Sequence, residues 1–214
     1  MVEIILTIGA VFLSLAIHEA SHGLVAYAFG DPTAKHQGRL SLNPLVHVDL
    51  FGTILLPILL MFSGLPVVGW AKPVQVNYGN FQNPVRDGGF TALAGPASNF
   101  ILALISAFLL TYLRGVLPVF LVQFLWLMFY INISLGLFNF LPLAPLDGSK
   151  IIGLIVPKRF HGQYLKFLDR STTYFIIILL FDIYVMPSII GYSVFGHFLG
   201  IIMDYIKFVI FKST

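Results

Sequence analysis

The chain has no cysteine among its 214 residues. Disulfide frameworks, thiolate metal sites and cysteine nucleophiles are thereby excluded, and a metal here has only histidine and carboxylate to hold it. Charge is nearly as scarce. Asp, Glu, Lys and Arg make up 10% of the sequence against 58% hydrophobic residues, too few to coat a soluble domain of this size. Glutamate occurs only at positions 3 and 19. No internal repeat, low-complexity tract or long linker divides the chain, and a net charge of +3 gives no reason to expect a nucleic acid partner.

What the sequence has instead is long apolar runs, the mark of a polytopic helical membrane protein in which lipid replaces water as the outer solvent. Residues 4–29, 90–113 and 117–141 are each long enough to cross a bilayer, and 174–211 makes one or two further spans with limits blurred by Asp182, Pro187 and Asp204. The first run has neither a basic n-region nor a small-residue cleavage site, so it is expected to remain as a span. Residues 50–65 are apolar but interrupted by Gly52, Pro57 and Gly64, while residues 38–42 and 70–77 alternate as short strands do. The expected fold is an all-α polytopic membrane protein of five to six transmembrane or re-entrant helices, with short membrane-embedded β strands near its functional centre. One integral membrane domain is expected over residues 1–214, with a core at about 4–155 and C-terminal helices at about 172–212.

Charge sets the orientation. Nine of the twelve Lys and Arg fall in residues 30–49, 70–89 and 149–170, whereas Arg114 alone occupies the turn between the third and fourth apolar runs. The three basic segments are therefore expected to face the cytoplasm. Residues 4–29 then run inward and 90–113 outward, so 50–65 is not a simple crossing. Either it is re-entrant, or the 70–77 strand carries the chain back through the protein interior.

Inside the first run lies His18-Glu19-Ala20-Ser21-His22. Helical residues four apart are rotated by only about 40°, so the two imidazoles address one point, as a metal chelate does. Glu19, on the flank of that face, is suited to take a proton from an activated water without ligating the metal, the division of labour of a zinc hydrolase. With six His and two Glu in the chain, about one chance match is expected in several hundred such sequences. Two core histidines satisfied by carbonyls would leave unexplained a carboxylate in a membrane-class run, where ionisable groups are functional by default. Counted back from Phe29, the pair lies roughly 10–17 Å inside the helix end, below the membrane surface.

A catalytic zinc usually has three protein ligands and one open position. Asp147 is the leading third ligand, because the charge pattern brings it to the same cytoplasmic depth, just after Pro142 and Pro145 break the fourth run. Its other role is to cap a helix starting at Gly148. His47 and Asp49 come next.

Together with Gly95-Pro96-x-x-Asn99 in a later span and Asn139 ahead of Leu146-Asp147-Gly148, the His-Glu-Ala-Ser-His motif resembles the site-2 protease family of intramembrane zinc metalloproteases over most of residues 4–155. Leu42-Asn43-Pro44-Leu45-x-His47-x-Asp49 and Gly69-Trp70-Ala71-Lys72-Pro73-Val74 resemble a compact bacterial branch of it, and 214 residues leave no room for the PDZ or CBS domain of many members.

The resemblance implies one Zn2+ per chain held by His18, His22 and Asp147, with Glu19 as general base and then acid. It also implies that Asn139 and Asn99 bind the substrate backbone or steady the tetrahedral intermediate; a hydrogen bond between helices is the plainer role for each. The implied substrate is a transmembrane helix of another membrane protein, locally unwound and paired with the 70–77 strand. Cleavage would occur within the lipid bilayer of the cell membrane, toward the cytoplasmic side, in regulated intramembrane proteolysis or in clearance of membrane peptide remnants. A membrane zinc hydrolase of a non-peptide substrate and a metal transporter also fit the metal motif.

Overall fold

The computed structural model describes residues 1–65 and 69–211. Hydrocarbon offers the main chain no hydrogen bonds, so the apolar runs satisfy their own amides as helices. In chain order these are α1 (Val2–Ala28), α2 (Thr33–His36), α3 (Leu56–Phe62), α4 (Pro84–Leu113), α5 (Val119–Asn139), α6 (Asp147–Ile151), α7 (His161–Tyr184), α8 (Met186–Ile190) and α9 (Val194–Phe211). Among the described residues, five stretches are long and apolar enough to cross a membrane: α1, α4, α5, Lys158–Ile190 and α9.

Helix α4 is central, packed against α1, α5 and α6. Ala103, Ala107 and Leu110 on its inner face meet Phe129 and Ile133 of α5 and Met203 of α9. Its outer positions are larger, with Ile101, Leu104, Ile105 and Phe108 exposed. Small residues inside let the backbones approach, and large apolar ones outside suit lipid. At the far end, the buried Asp182 of α7 accepts from Ser193 Oγ (2.5 Å) and from the N–H groups of Val194 (2.8 Å) and Phe195 (3.2 Å), capping α9 from a neighbouring helix. The charge that blurs the boundary in the sequence is the one that sets it. The C-terminal limit expected at about 212 lies outside the described residues.

A π-helical turn, Leu50–Leu55, runs into α3. At 1.5 Å per residue Leu50–Phe62 covers about 20 Å, short of the roughly 30 Å of hydrocarbon that a crossing helix spans.

The expected β strands are absent among the described residues. Residues 69–77 are extended, but no second strand pairs with them. The alternating N–H groups of Trp70, Lys72 and Val74 go instead to the Gly52 carbonyl (3.1 Å), the His47 carbonyl (2.8 Å) and Glu19 Oε2 (2.7 Å). Residues 38–42 turn and bend, with Gly38 at a φ of +66°. Alternation in sequence favours an extended chain, whereas a strand also requires a partner.

Helix α1 stops at Gly30, whose φ of +98° is left-handed and unstrained only for glycine. The adjacent Asp31 is fully buried. Its carboxylate accepts from Thr33 N–H (3.1 Å), Thr33 Oγ1 (2.5 Å), Asn80 Nδ2 (2.7 Å) and Asn77 N–H (2.8 Å), tying the end of α1 to the far end of the extended segment. Burial acts to raise its pKa, but these hydrogen bonds to the anion outweigh that and hold it below the ordinary carboxylate range. A group depressed in this way stabilises the fold above its unfolded pKa of about 3.9 and loses that contribution as pH falls through the folded value. Asp31→Asn should therefore lower the thermal midpoint at neutral pH. In melts of the purified protein, its gap to wild type should close as pH drops below about 4.

Candidate metal centre

His18 and His22 share one face of α1, and both rings lie against Gly95 of α4. A Cβ on Gly95 would sit 2.4 Å from His22 Nε2 and 2.6 Å from His18 Nε2, so the glycine of the Gly95-Pro96 motif is what leaves the rings their room. Behind them, His22 Nδ1 donates to the Thr91 carbonyl (2.7 Å) and His18 Nδ1 donates to Asn99 Oδ1 (2.6 Å). A carbonyl oxygen only accepts. With the proton on Nδ1, each Nε2 presents a lone pair.

The third group arrives from the break after α5. Gly148 fits against the carbonyls of Leu141 and Phe140, where a Cβ would lie 2.2 and 2.3 Å away, so the loop closes tightly onto α6. Asp147 Oδ2 thereby lies 3.2 Å from His18 Nε2 and 3.3 Å from His22 Nε2, and the two nitrogens are 3.0 Å apart. Asp147 is not a cap, since α6 has Leu146 at its N-cap and no side-chain cap bond.

Three potential ligand atoms thus face one point, and a cation placed there would be shared by all three. A tetrahedral zinc with bonds of 2.0–2.1 Å sets its ligand atoms about 3.3 Å apart, close to the spacing found. The donor set fits the ion, and the three residues can hold one metal.

In front of them opens a cavity of about 620 Å³, with Glu19, Trp70, Val74, Thr91, Asn139 and Lys150 in its walls. Glu19 Oε2 accepts the Val74 N–H, which fixes one carboxylate oxygen and leaves Oε1 for a proton. Asn139 Nδ2 donates to the Leu135 carbonyl (3.1 Å). The side chain of Asn99 makes the hydrogen bond between helices that was the plainer of its two expected roles. Fully buried on the α1 side of α4, it accepts from His18 and donates through Nδ2 to Asn132 Oδ1 (2.7 Å). The remaining ligand candidates are engaged elsewhere, Asp49 accepting the Gly52 N–H (2.7 Å) and His47 Nε2 donating to the Ser41 carbonyl (3.0 Å).

Two contributors escape the sequence reading. The Thr91 hydroxyl is buried in the cavity wall without a protein partner, and its place one turn before Gly95 on α4 is a spacing that could have found it. The Val74 N–H is main chain and has no side-chain signature.

Gly95→Ala puts a methyl where the ligand atoms converge and should abolish zinc binding. Asp147→Ala should weaken it by more than ~10-fold, while Asp49→Ala keeps it. Elemental analysis of the purified variants checks this; full occupancy without Asp147 and loss without Asp49 would move the ligand.

A family profile, Peptidase family M50, matches residues 116–181. YwhC of Bacillus subtilis, which carries a zinc metalloprotease name, is 43% identical over 175 residues, 78% of this chain and 75% of its own. Rip2 of Mycolicibacterium smegmatis, similarly named, is 33% identical over 102 residues, 47% of this chain and 38% of its own. Rip3 of Mycobacterium tuberculosis is 37% identical over 76 residues, 35% of this chain and 19% of its own. No solved structure matches the chain. The motif on α1, the converging carboxylate and the extent of the likeness to YwhC lead to one assignment: the chain belongs to peptidase family M50, the site-2 protease family of zinc metalloproteases.

Proposed function

We propose that this chain is an intramembrane zinc endopeptidase that cleaves a transmembrane segment of another membrane protein, in regulated intramembrane proteolysis or in clearance of membrane peptide remnants. The observation that carries this reading is the depth of the His18, His22 and Asp147 cluster. Its histidines lie well inside a membrane-length helix, and its cavity opens between such helices.

His18, His22 and Asp147 would hold one zinc ion per chain. When bound, zinc supplies Lewis acidity toward water and the scissile carbonyl. Glu19, steadied by the Val74 N–H, takes the proton of the attacking water on Oε1 and delivers it to the leaving amine. Asn139, in the cavity wall, offers a hydrogen bond to the substrate backbone. A substrate helix hides its carbonyls and must unwind first. The extended segment uses one edge, at Trp70, Lys72 and Val74, for contacts within the protein. Its opposite edge offers the unwound chain the N–H and C=O of Ala71 and Gln75 and only the C=O of Pro73, which has no N–H, and Ala71 and Pro73 line the cavity. That backbone-reading edge favours a peptide over a non-peptide substrate, and membership in a peptidase family weighs against a metal transporter. The basic segments favour a cell-membrane orientation with the site toward the cytoplasm.

Purified protein should cut a synthetic transmembrane peptide, and a zinc chelator should stop it. Glu19→Gln should keep zinc near one per chain while turnover falls at least ~100-fold; zinc lost from that variant would make Glu19 a ligand. For orientation, a reporter fused after Arg170 should read cytoplasmic and one near Arg114 external, and the reverse pattern would put the site near the opposite face.

A further inference from the structure

We infer that Asn132 and Ser14 are positioning residues of the metal centre, acting through Asn99 to fix the tautomer and ring orientation of His18. The inference rests on the reading of His18 as a zinc ligand. Its basis is a row of hydrogen bonds whose direction is determined from one end.

The row starts at the main-chain carbonyl of Met128 in α5, which can only accept. The Asn132 side-chain atom 2.8 Å from that oxygen must therefore be Nδ2, and Nδ2 also donates to Ser14 Oγ of α1 (2.8 Å). The Ser14 hydroxyl in turn points at the Met128 sulfur (3.7 Å). With Nδ2 so committed, Asn132 Oδ1 faces α4 and accepts from Asn99 Nδ2 (2.7 Å). Asn99 Oδ1 is then turned toward α1, 2.6 Å from His18 Nδ1, and requires a proton there.

The consequence at the metal point is chemical. A flip of the Asn99 amide would set its oxygen against Asn132 Oδ1 and its nitrogen against the His18 Nδ1 proton. Relief by the other tautomer would place a proton on Nε2, which then could not ligate. Ser14, Asn99 and Asn132 are each 0% exposed, so no water rescues a wrong arrangement, and unmatched polar groups there are strongly disfavoured. His22 needs no comparable device, because its Nδ1 is read by the Thr91 carbonyl directly. Two polar side chains deep inside α1 and α5 thus have a task at the site. Buried amides between membrane helices also act as plain adhesive, which is the rival role. Adhesive changes stability and leaves metal affinity alone.

The test is a zinc titration of the purified full-length protein against a competing chelator. It uses wild type, Asn132→Leu, Ser14→Ala, Asn99→Leu and the Asn99→Leu/Asn132→Leu double variant, with a thermal melt of each in the zinc-free form. Asn132→Leu should weaken zinc by about 10-fold or more, as loss of an outer partner of a ligating histidine does. Ser14→Ala should weaken it by a smaller, measurable factor, and the double variant should bind no worse than Asn99→Leu alone, since Asn132 acts only through Asn99. Wild-type zinc affinity in Asn132→Leu, with or without a lower melting point, overturns the inference, as does a double variant in which the two losses multiply. Should Asn132→Leu not fold, Ser14→Ala decides by the same criterion. If wild type binds zinc, Asp147→Ala loses it and Asn132→Leu does not, the metal reading stands and this inference falls. If wild type itself binds none, both fall.

Discussion

Two imidazole nitrogens and a carboxylate oxygen, all electron-pair donors, lie within 3.3 Å of one another in a nearly dry interior. A divalent cation bound there would be held by all three and would offset their mutual repulsion. The surrounding structure serves to hold this arrangement. Gly95 removes the side chain that would fill the meeting point, Gly148 lets the α5–α6 loop close until Asp147 reaches the rings, and the Thr91 carbonyl and Asn99 hold the Nδ1 protons away from it. An apolar exterior of exposed Ile, Leu and Phe lets such a polar centre exist at membrane depth, because lipid removes any need for a large soluble core.

The proposed cleavage at that depth would need a base and a way to present a peptide bond. One segment bears on both. The extended residues 69–77 hold Glu19 through the Val74 N–H and line the cavity with Trp70, Ala71, Pro73 and Val74. Asp31 anchors the segment's far end to the stop of α1 through the Asn77 N–H and Asn80, so the helix that bears the motif and the segment that steadies its base are built as one unit.

Much of this was legible before any coordinates, for physical reasons. Four-residue spacing on a helix dictates that His18 and His22 converge, and Pro142 and Pro145 must end the fourth run near Asp147. The short apolar stretch at Leu50–Phe62 fits the charge-based argument that it does not cross. The features that escape the sequence share a cause: each depends on a partner that sequence does not display. Alternation at residues 70–77 correctly indicated an extended chain, but among the described residues no second strand makes it a sheet. Of the two roles open to Asn99, its side chain makes the hydrogen bond between helices, to His18 and Asn132, partners that lie far from it in sequence. Asp31 follows the stop of α1, and three of its donors come from Asn77, Asn80 and the Thr33 hydroxyl, none of which sequence marks as its partner. Ser14 and Asn132 carried a signal that went unused, since polar side chains within apolar spans are seldom idle.

The central claim is that one zinc ion is held by two histidines and one aspartate inside a membrane-embedded peptidase. X-ray absorption at the zinc edge, on purified wild-type protein carrying one equivalent of zinc, reads that directly. The expected first shell is four-coordinate, with two imidazole nitrogens at about 2.0–2.1 Å and oxygens at about 2.0–2.2 Å, and its imidazole count should be unchanged when His47 is replaced. A shell with three imidazoles, or one that loses an imidazole with His47, would contradict it.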